Sequence, residues 1–239
     1  MRWFALGAVF VTSLFVFLVA LMPAALLIDR LPALRPGGAP LALSDARGPW
    51  WDGDVRARWR DQQGRLRWHL DWRGLTPGVR LSMVSGDLQA RGWLGAAWGD
   101  WRLEQWRAEL PVALFSRQVP QGNADGTVAL SLMVLELTDQ NVVDAKGTLN
   151  YSGGTVSWGR DGAARVPPLD GRLAMVDNGP QLIVTGPREQ QLVLARLENQ
   201  TLNVQVRRAW PQLLGVSQGG DPSDVVFRMS RPLTLGRPG

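Results

Sequence analysis

The chain has 239 residues, a formal net charge of +5, a pI of about 11.0 and 45% hydrophobic residues. That length and apolar content suit one domain or two small ones with a sizeable core. No cysteine is present, which excludes disulfides, thiolate nucleophiles and zinc–cysteine sites, and Lys146 is the only lysine, so the basic charge is carried by arginine.

Trp3 to Ile28 contain no charged side chain. A helix needs about 20 residues to cross the hydrocarbon core of a bilayer, and this run would reach about 39 Å at 1.5 Å per residue. It is too long for the apolar region of a cleaved signal, and Asp29-Arg30-Leu31-Pro32 offers no small-x-small cleavage site. The expectation is an uncleaved transmembrane anchor over 1–30, carried by Trp3, Phe4, Leu14, Phe15, Phe17, Leu21, Leu27 and Ile28 and embedded in membrane lipid. Arg2 precedes the run and Arg30 and Arg35 follow it, so flanking charge alone nearly ties. A long C-terminal domain translocates largely regardless of charge, which favours a cytoplasmic N-terminus and an exported C-terminal domain.

Residues 31–47 are rich in Pro, Gly and Ala. Pro32, Pro36 and Pro40 each remove a backbone donor, so this stretch reads as a linker. From 48 to 235 short strand-like runs are bounded by Gly, Asn, Asp or Pro. Asp54–Arg60 and Arg65–Trp72 form one predicted hairpin, and Val79–Val84 and Asp87–Trp93 a second. Trp101–Leu110 fits a strand or a short helix equally well. Further strands are expected over 126–137, 145–151, 154–159, 169–176, 181–185, 191–197, 201–207 and 225–230. Trp210-Pro211 suits the opening of a single helical turn within 209–216. Two similar β halves, about 48–115 and 120–210, are suggested by a loose echo of Gly, aromatic, Gly and a strand ending in Trp. The fold class is therefore mainly β, an antiparallel domain built as a curved open sheet, a sandwich or a partial barrel.

Twelve tryptophans stand against a single tyrosine. Trp50, Trp51, Trp59, Trp68, Trp72, Trp98, Trp101 and Trp106 are candidates either for cross-strand packing or for an exposed aromatic surface that meets a partner or lipid. The Arg- and Trp-rich run 56–73 alternates as a half-buried strand does, and Asp52, Asp54, Asp61 and Asp71 break its positive field. Nucleic acid is not an expected partner.

Chemistry is hard to build from these residues. His69 is the only histidine, so neither a histidine pair for a metal nor a cysteine–histidine couple is available. Asp52, Asp54, Glu136 and Asp139 sit beside turns, where acids accept backbone hydrogen bonds or face water. Gly153-Gly154 and Gly219-Gly220 lack phosphate-loop context. No catalytic residue, metal ligand, cofactor or small-molecule substrate is expected, and the chain reads as non-enzymatic.

The anchor and its Pro-rich continuation are followed by Gly48-Pro49-Trp50-Trp51-Asp52-Gly53, a Gly-x-x-Trp-x-Gly turn, and by Leu66-Arg67-Trp68-His69-Leu70, a Leu-x-Trp-x-Leu strand. Gly126-Thr127-Val128 and Gly147-Thr148-Leu149 open later strands, and Leu169-Asp170-Gly171-Arg172-Leu173 leads through Gly179 to Gly186. On these features the chain resembles the type II secretion system protein N family. The resemblance implies a single-pass protein of the bacterial inner membrane with a periplasmic β domain. It implies an accessory, structural part in the export of folded proteins, partnered by other inner-membrane and periplasmic subunits of that apparatus. An alternative from another class is a membrane-anchored periplasmic lipid-binding or lipid-transfer protein, with apolar residues lining a β groove.

Overall fold

Alternating apolar and polar side chains set most of this chain into strands, and the pairing of those strands determines what each face meets. A computed structural model describes residues 21–28, 41–59, 62–97, 99–113, 122–138, 141–158 and 162–232. The first half runs through a short helix α1 (Ala24–Ile28), then β1 (Leu41–Arg47), β2 (Asp52–Trp59), β3 (Gln62–Arg73), β4 (Thr76–Ser85), β5 (Leu88–Ala97) and β6 (Asp100–Pro111). The second half contains β7 (Gly122–Ala124), β8 (Thr127–Leu137), β9 (Val142–Tyr151), β10 (Gly154–Trp158), β11 (Gly162–Val166), β12 (Leu169–Val176), β13 (Gly179–Thr185), β14 (Gln191–Glu198) and β15 (Thr201–Arg207). A helical turn α2 (Ala209–Leu213) and β16 (Val225–Pro232) complete it.

Thirteen of these strands form one sheet in the order β1-β2-β3-β4-β5-β6-β8-β9-β12-β13-β14-β15-β16. The remaining three make a small sheet, β11-β10-β7. The large sheet is open: its end strands β1 and β16 do not pair with each other. Of the expected alternatives, it is the open antiparallel sheet, not closed into a barrel. Because β6 pairs directly with β8, the two suggested halves share one continuous sheet. Trp101–Leu110 resolves to strand, within β6, because both of its neighbours offer matching ladders.

The turns follow local chemistry. Asp177 and Asn178 both have positive φ (46° and 64°), the pattern of a two-residue hairpin turn that matches strand twist. Gly74 (φ 60°) does the same at the β3–β4 tip. β1 falls inside the stretch expected as a linker, 31–47: Leu41 and Leu43 pair with Trp59 and Ala57 of β2.

Packed depth is concentrated in one corner. Val166, Leu169, Leu192 and Ala209 are buried together, with Tyr151, Val156, Val184, Trp210 and Leu213 against them. There α2 and the small sheet lie over the β9–β14 part of the large sheet.

Among the described residues no helix is long and apolar enough to cross a membrane. Trp3, Phe4, Leu14, Phe15 and Phe17 lie outside the described residues. Leu21 precedes α1, and Leu27 and Ile28 end it. The segment does not run free into the sheet. The Ala24 amide donates to the Gly48 carbonyl (3.0 Å), and the Trp50 amide donates to the Met22 carbonyl (3.1 Å). Ala24 is only 1% exposed.

Candidate functional site

Direct cross-strand partners share a face, so the registers sort every strand residue to one side of the sheet. One such row reads Val55, Leu66, Met83, Ala90, Ala108, Leu130, Leu149, Gly171, Val184, Val193, Val206 and Phe227 from β2 to β16. The rows beside it are also apolar, for example Leu70, Val79, Leu94, Leu103, Leu135 and Ala145. The opposite face carries the charge. Its matching row is Asp54, Arg67, Ser82, Arg91, Arg107, Ser131, Thr148 and Arg172. The sheet is thus amphipathic from β2 to β12, whereas beyond Arg172 the same row runs through Ile183 and Leu194 before Gln205 and Arg228 restore polar side chains. Of the described elements, α2 and the small sheet pack over one corner, and α1 packs against β1.

Tryptophans occupy three kinds of place. Trp68 lies over Gly53 and donates its indole N–H to the Trp50 carbonyl (2.9 Å). Trp106 lies over Gly92 and donates to the Trp93 carbonyl (2.8 Å). In both places the absent Cβ is what lets a flat ring rest on the sheet. Trp51, Trp72 and Trp101 are exposed instead, the last two at 61% and 50%. Trp50 is half-buried. Trp59 ends β2, but its side chain and the whole of Trp98 lie outside the described residues. Trp93 was not among the sequence candidates, yet it is the largest fully buried side chain among the described residues. Its signal was present as glycine rather than as aromatic spacing: Gly78 and Gly95, paired across β4 and β5, leave the bed it fills.

The charged face is ordered locally. The Arg73 guanidinium stacks 4.9 Å from the Trp93 ring centroid and bridges to Glu104. Glu104 also takes Arg102 (2.7 Å), and Arg80 meets Asp71 (2.6 Å). Arg91 and Arg107, directly opposite each other, have no carboxylate partner among the described residues. His69 faces Asp52 at 3.7 Å, with both side chains more than half exposed. No group of three or more His, Asp or Glu able to hold a metal occurs among the described residues.

The sheet also ends in two unclosed edges. Along β16, Val226, Phe227 and Met229 are exposed, so backbone groups and apolar side chains are offered together. Among the described residues this architecture provides surface: an apolar face, a charged face and two end strands that do not pair with each other.

A model of the type II secretion system (T2SS), protein N family matches residues 39–219, which includes β1 through α2. No curated protein and no solved structure matches the chain.

Proposed function

Because the chain belongs to the type II secretion system protein N family, we propose that it serves that apparatus as a non-enzymatic accessory subunit, tethered to the bacterial inner membrane by residues 1–30 and working in the periplasm. The observation that carries this reading is the open thirteen-strand sheet, amphipathic from β2 to β12. Free edges recruit a strand from another protein through main-chain hydrogen bonds, and neighbouring apolar side chains supply selectivity. Other inner-membrane and periplasmic subunits are the proposed partners. The N-terminal run supplies the lipid contact, with the N-terminus cytoplasmic.

A second reading is favoured by one specific observation. The apolar face continues across twelve successive strands with no charged residue in its central row. Such a surface suits acyl chains as well as protein, and so supports lipid binding or transfer.

One experiment separates the two. Photo-crosslinkers are placed in the full-length protein in cells at Leu130 on the apolar face, at Ser131 on the charged face and at Arg228 on the β16 edge. Adducts are then identified by mass spectrometry of protein and lipid. Secretion-subunit adducts at Arg228 support the scaffold. Phospholipid or lipopolysaccharide at Leu130 but not at Ser131, with no subunit adducts, supports lipid handling in its place.

A further inference from the structure

One rim of the sheet differs from the other. It contains the β3–β4 tip Gly74-Leu75, the end of β5 and the start of β6. Trp72 and Trp101 stand on it at the margin of the apolar face, paired with Pro77 and Ala96. Leu75 at the tip is 96% exposed, and Trp51, just before β2 at the same end of the sheet, is exposed too, with its ring edge-on to His69 at 6.4 Å. Of the four exposed aromatic residues among the described side chains, three lie on this rim, and the fourth, Phe227, is on the edge strand β16. On the opposite rim the β4–β5 tip is Gly86-Asp87, with no apolar side chain.

The same rim holds the end of the apolar N-terminal run. Met22 and Ala24 are hydrogen-bonded to Trp50 and Gly48. The Trp50 carbonyl accepts from the Trp68 indole, and the Trp51 carbonyl accepts from the Leu70 amide (2.6 Å). A continuous set of hydrogen bonds therefore ties residues 22–24 to β3. A bilayer crossing of about 20 residues that starts at Trp3 ends near Met22. The sheet rim attached there then lies at the level of the headgroups. Trp is the side chain that favours this level, since its ring is apolar and its N–H is polar.

We infer that the rim bearing Trp51, Trp72, Leu75 and Trp101 is seated in the phospholipid interface of the bilayer crossed by the run that ends near Met22. This deepens the proposed function and rests on its membrane-anchor reading. Seated so, the sheet stands on the membrane with its strands rising from it, and its apolar face opens at the lipid surface.

The natural absence of cysteine makes the test direct. Single-cysteine variants Leu75→Cys, Asp87→Cys and Phe15→Cys of the full chain are spin-labelled in vesicles of phosphatidylethanolamine and phosphatidylglycerol. Collision with lipid-soluble oxygen is compared with collision with a water-soluble nickel chelate. The expected result is oxygen dominance at Leu75 and nickel dominance at Asp87, with loss of the oxygen excess at Leu75 when Trp72 and Trp101 are both changed to Ala. Nickel dominance at Leu75 while Phe15 is lipid-buried overturns this inference and leaves the anchor standing. Nickel dominance at Phe15 overturns the anchor. If Leu75 is still oxygen-dominant in that case, the rim meets lipid by another route, and the inference, which needs the bilayer crossed by the N-terminal run, falls with the anchor. If Leu75 is nickel-dominant too, both fall.

Discussion

The ring of Trp93 lies flat on Gly78. A Cβ at position 78 would fall inside the indole, against its Cε2 and Cζ2 atoms, and the facing Gly95 is covered by the same ring. The indole N–H reaches the Asp71 carbonyl at 3.4 Å, and Arg73 stacks on the outer surface. A buried aromatic is thus built on the polar face of a single-layer sheet, with glycine below and guanidinium above.

Gly78→Ala is expected to destabilise the domain by about 1–3 kcal/mol, the usual cost of overpacking. Thermal melts read this as a drop of several degrees. In a Trp93→Leu background the same substitution should cost much less, because the ring it collides with is gone. Equal costs in the two backgrounds would remove Trp93 as the reason for the glycine.

Glu104 holds two arginines. Its side chain is 19% exposed and Arg73 is 27% exposed, whereas Asp45 and Arg56 at the β1 edge are each about half exposed at 2.8 Å. Glu104→Gln should cost about 1–2 kcal/mol, because it leaves half-buried guanidinium groups without a charged acceptor. Asp45→Asn should cost less than about 0.5 kcal/mol. Denaturant midpoints compare the pair, and similar losses would refute the distinction.

Two truncations separate tether from sheet. A chain starting at residue 21 keeps the Ala24–Gly48 and Trp50–Met22 hydrogen bonds and buried Ala24. A chain starting at residue 31 loses all three. Both should give β-dominated far-UV circular dichroism. The shorter should be less stable by about 1–3 kcal/mol, from two hydrogen bonds and a vacated buried site. Coincident melting curves would show that residues 21–30 do not hold the rim.

Tyr151 is the only tyrosine, so its ionisation can be read directly from ultraviolet absorbance. Burial, and then the negative charge of Asp125, raise its pKa above the ordinary phenol value of about 10. Its hydroxyl donates to the Asp125 carbonyl at 2.6 Å. The sign follows: the folded state holds the proton more tightly, so the contribution is complete below pH 10 and is lost as pH rises through the folded pKa. The titration should be displaced upward relative to denatured protein. An unshifted midpoint would contradict the burial of this ring.

Much of the strand pattern was legible because alternation and turn chemistry are local. Gly126–Leu137 was expected as a strand and is β8 within one residue. The Asp177-Asn178 and Asn199-Gln200 turns fell where predicted, since both pairs adopt positive φ. β1 was hidden, because Leu41–Arg47 follows a Pro- and Gly-rich run and contains Ala and Ser, weak strand formers that only the pairing with β2 holds extended. β11, Gly162–Val166, was missed for the same reason. Among the tryptophans, Trp68 and Trp72 have the same parity on one strand and identical sequence signals. One rests on Gly53 and the other stands free at the rim, a difference fixed by what β2 places opposite.

The sequence by itself determined that the domain is β-rich, that runs such as 55–60 alternate apolar and polar side chains, and that an uncharged run precedes it. Side-chain alternation and the spacing of turn residues are properties of consecutive residues. Only the tertiary structure decided that the strands form one open sheet, that the apolar sides join into one face, and that Met22–Ala24 is bolted to the rim of exposed tryptophans. Those facts depend on which strand pairs with which and in what register, and hydrogen bonds between residues far apart in the chain are not written in any local pattern.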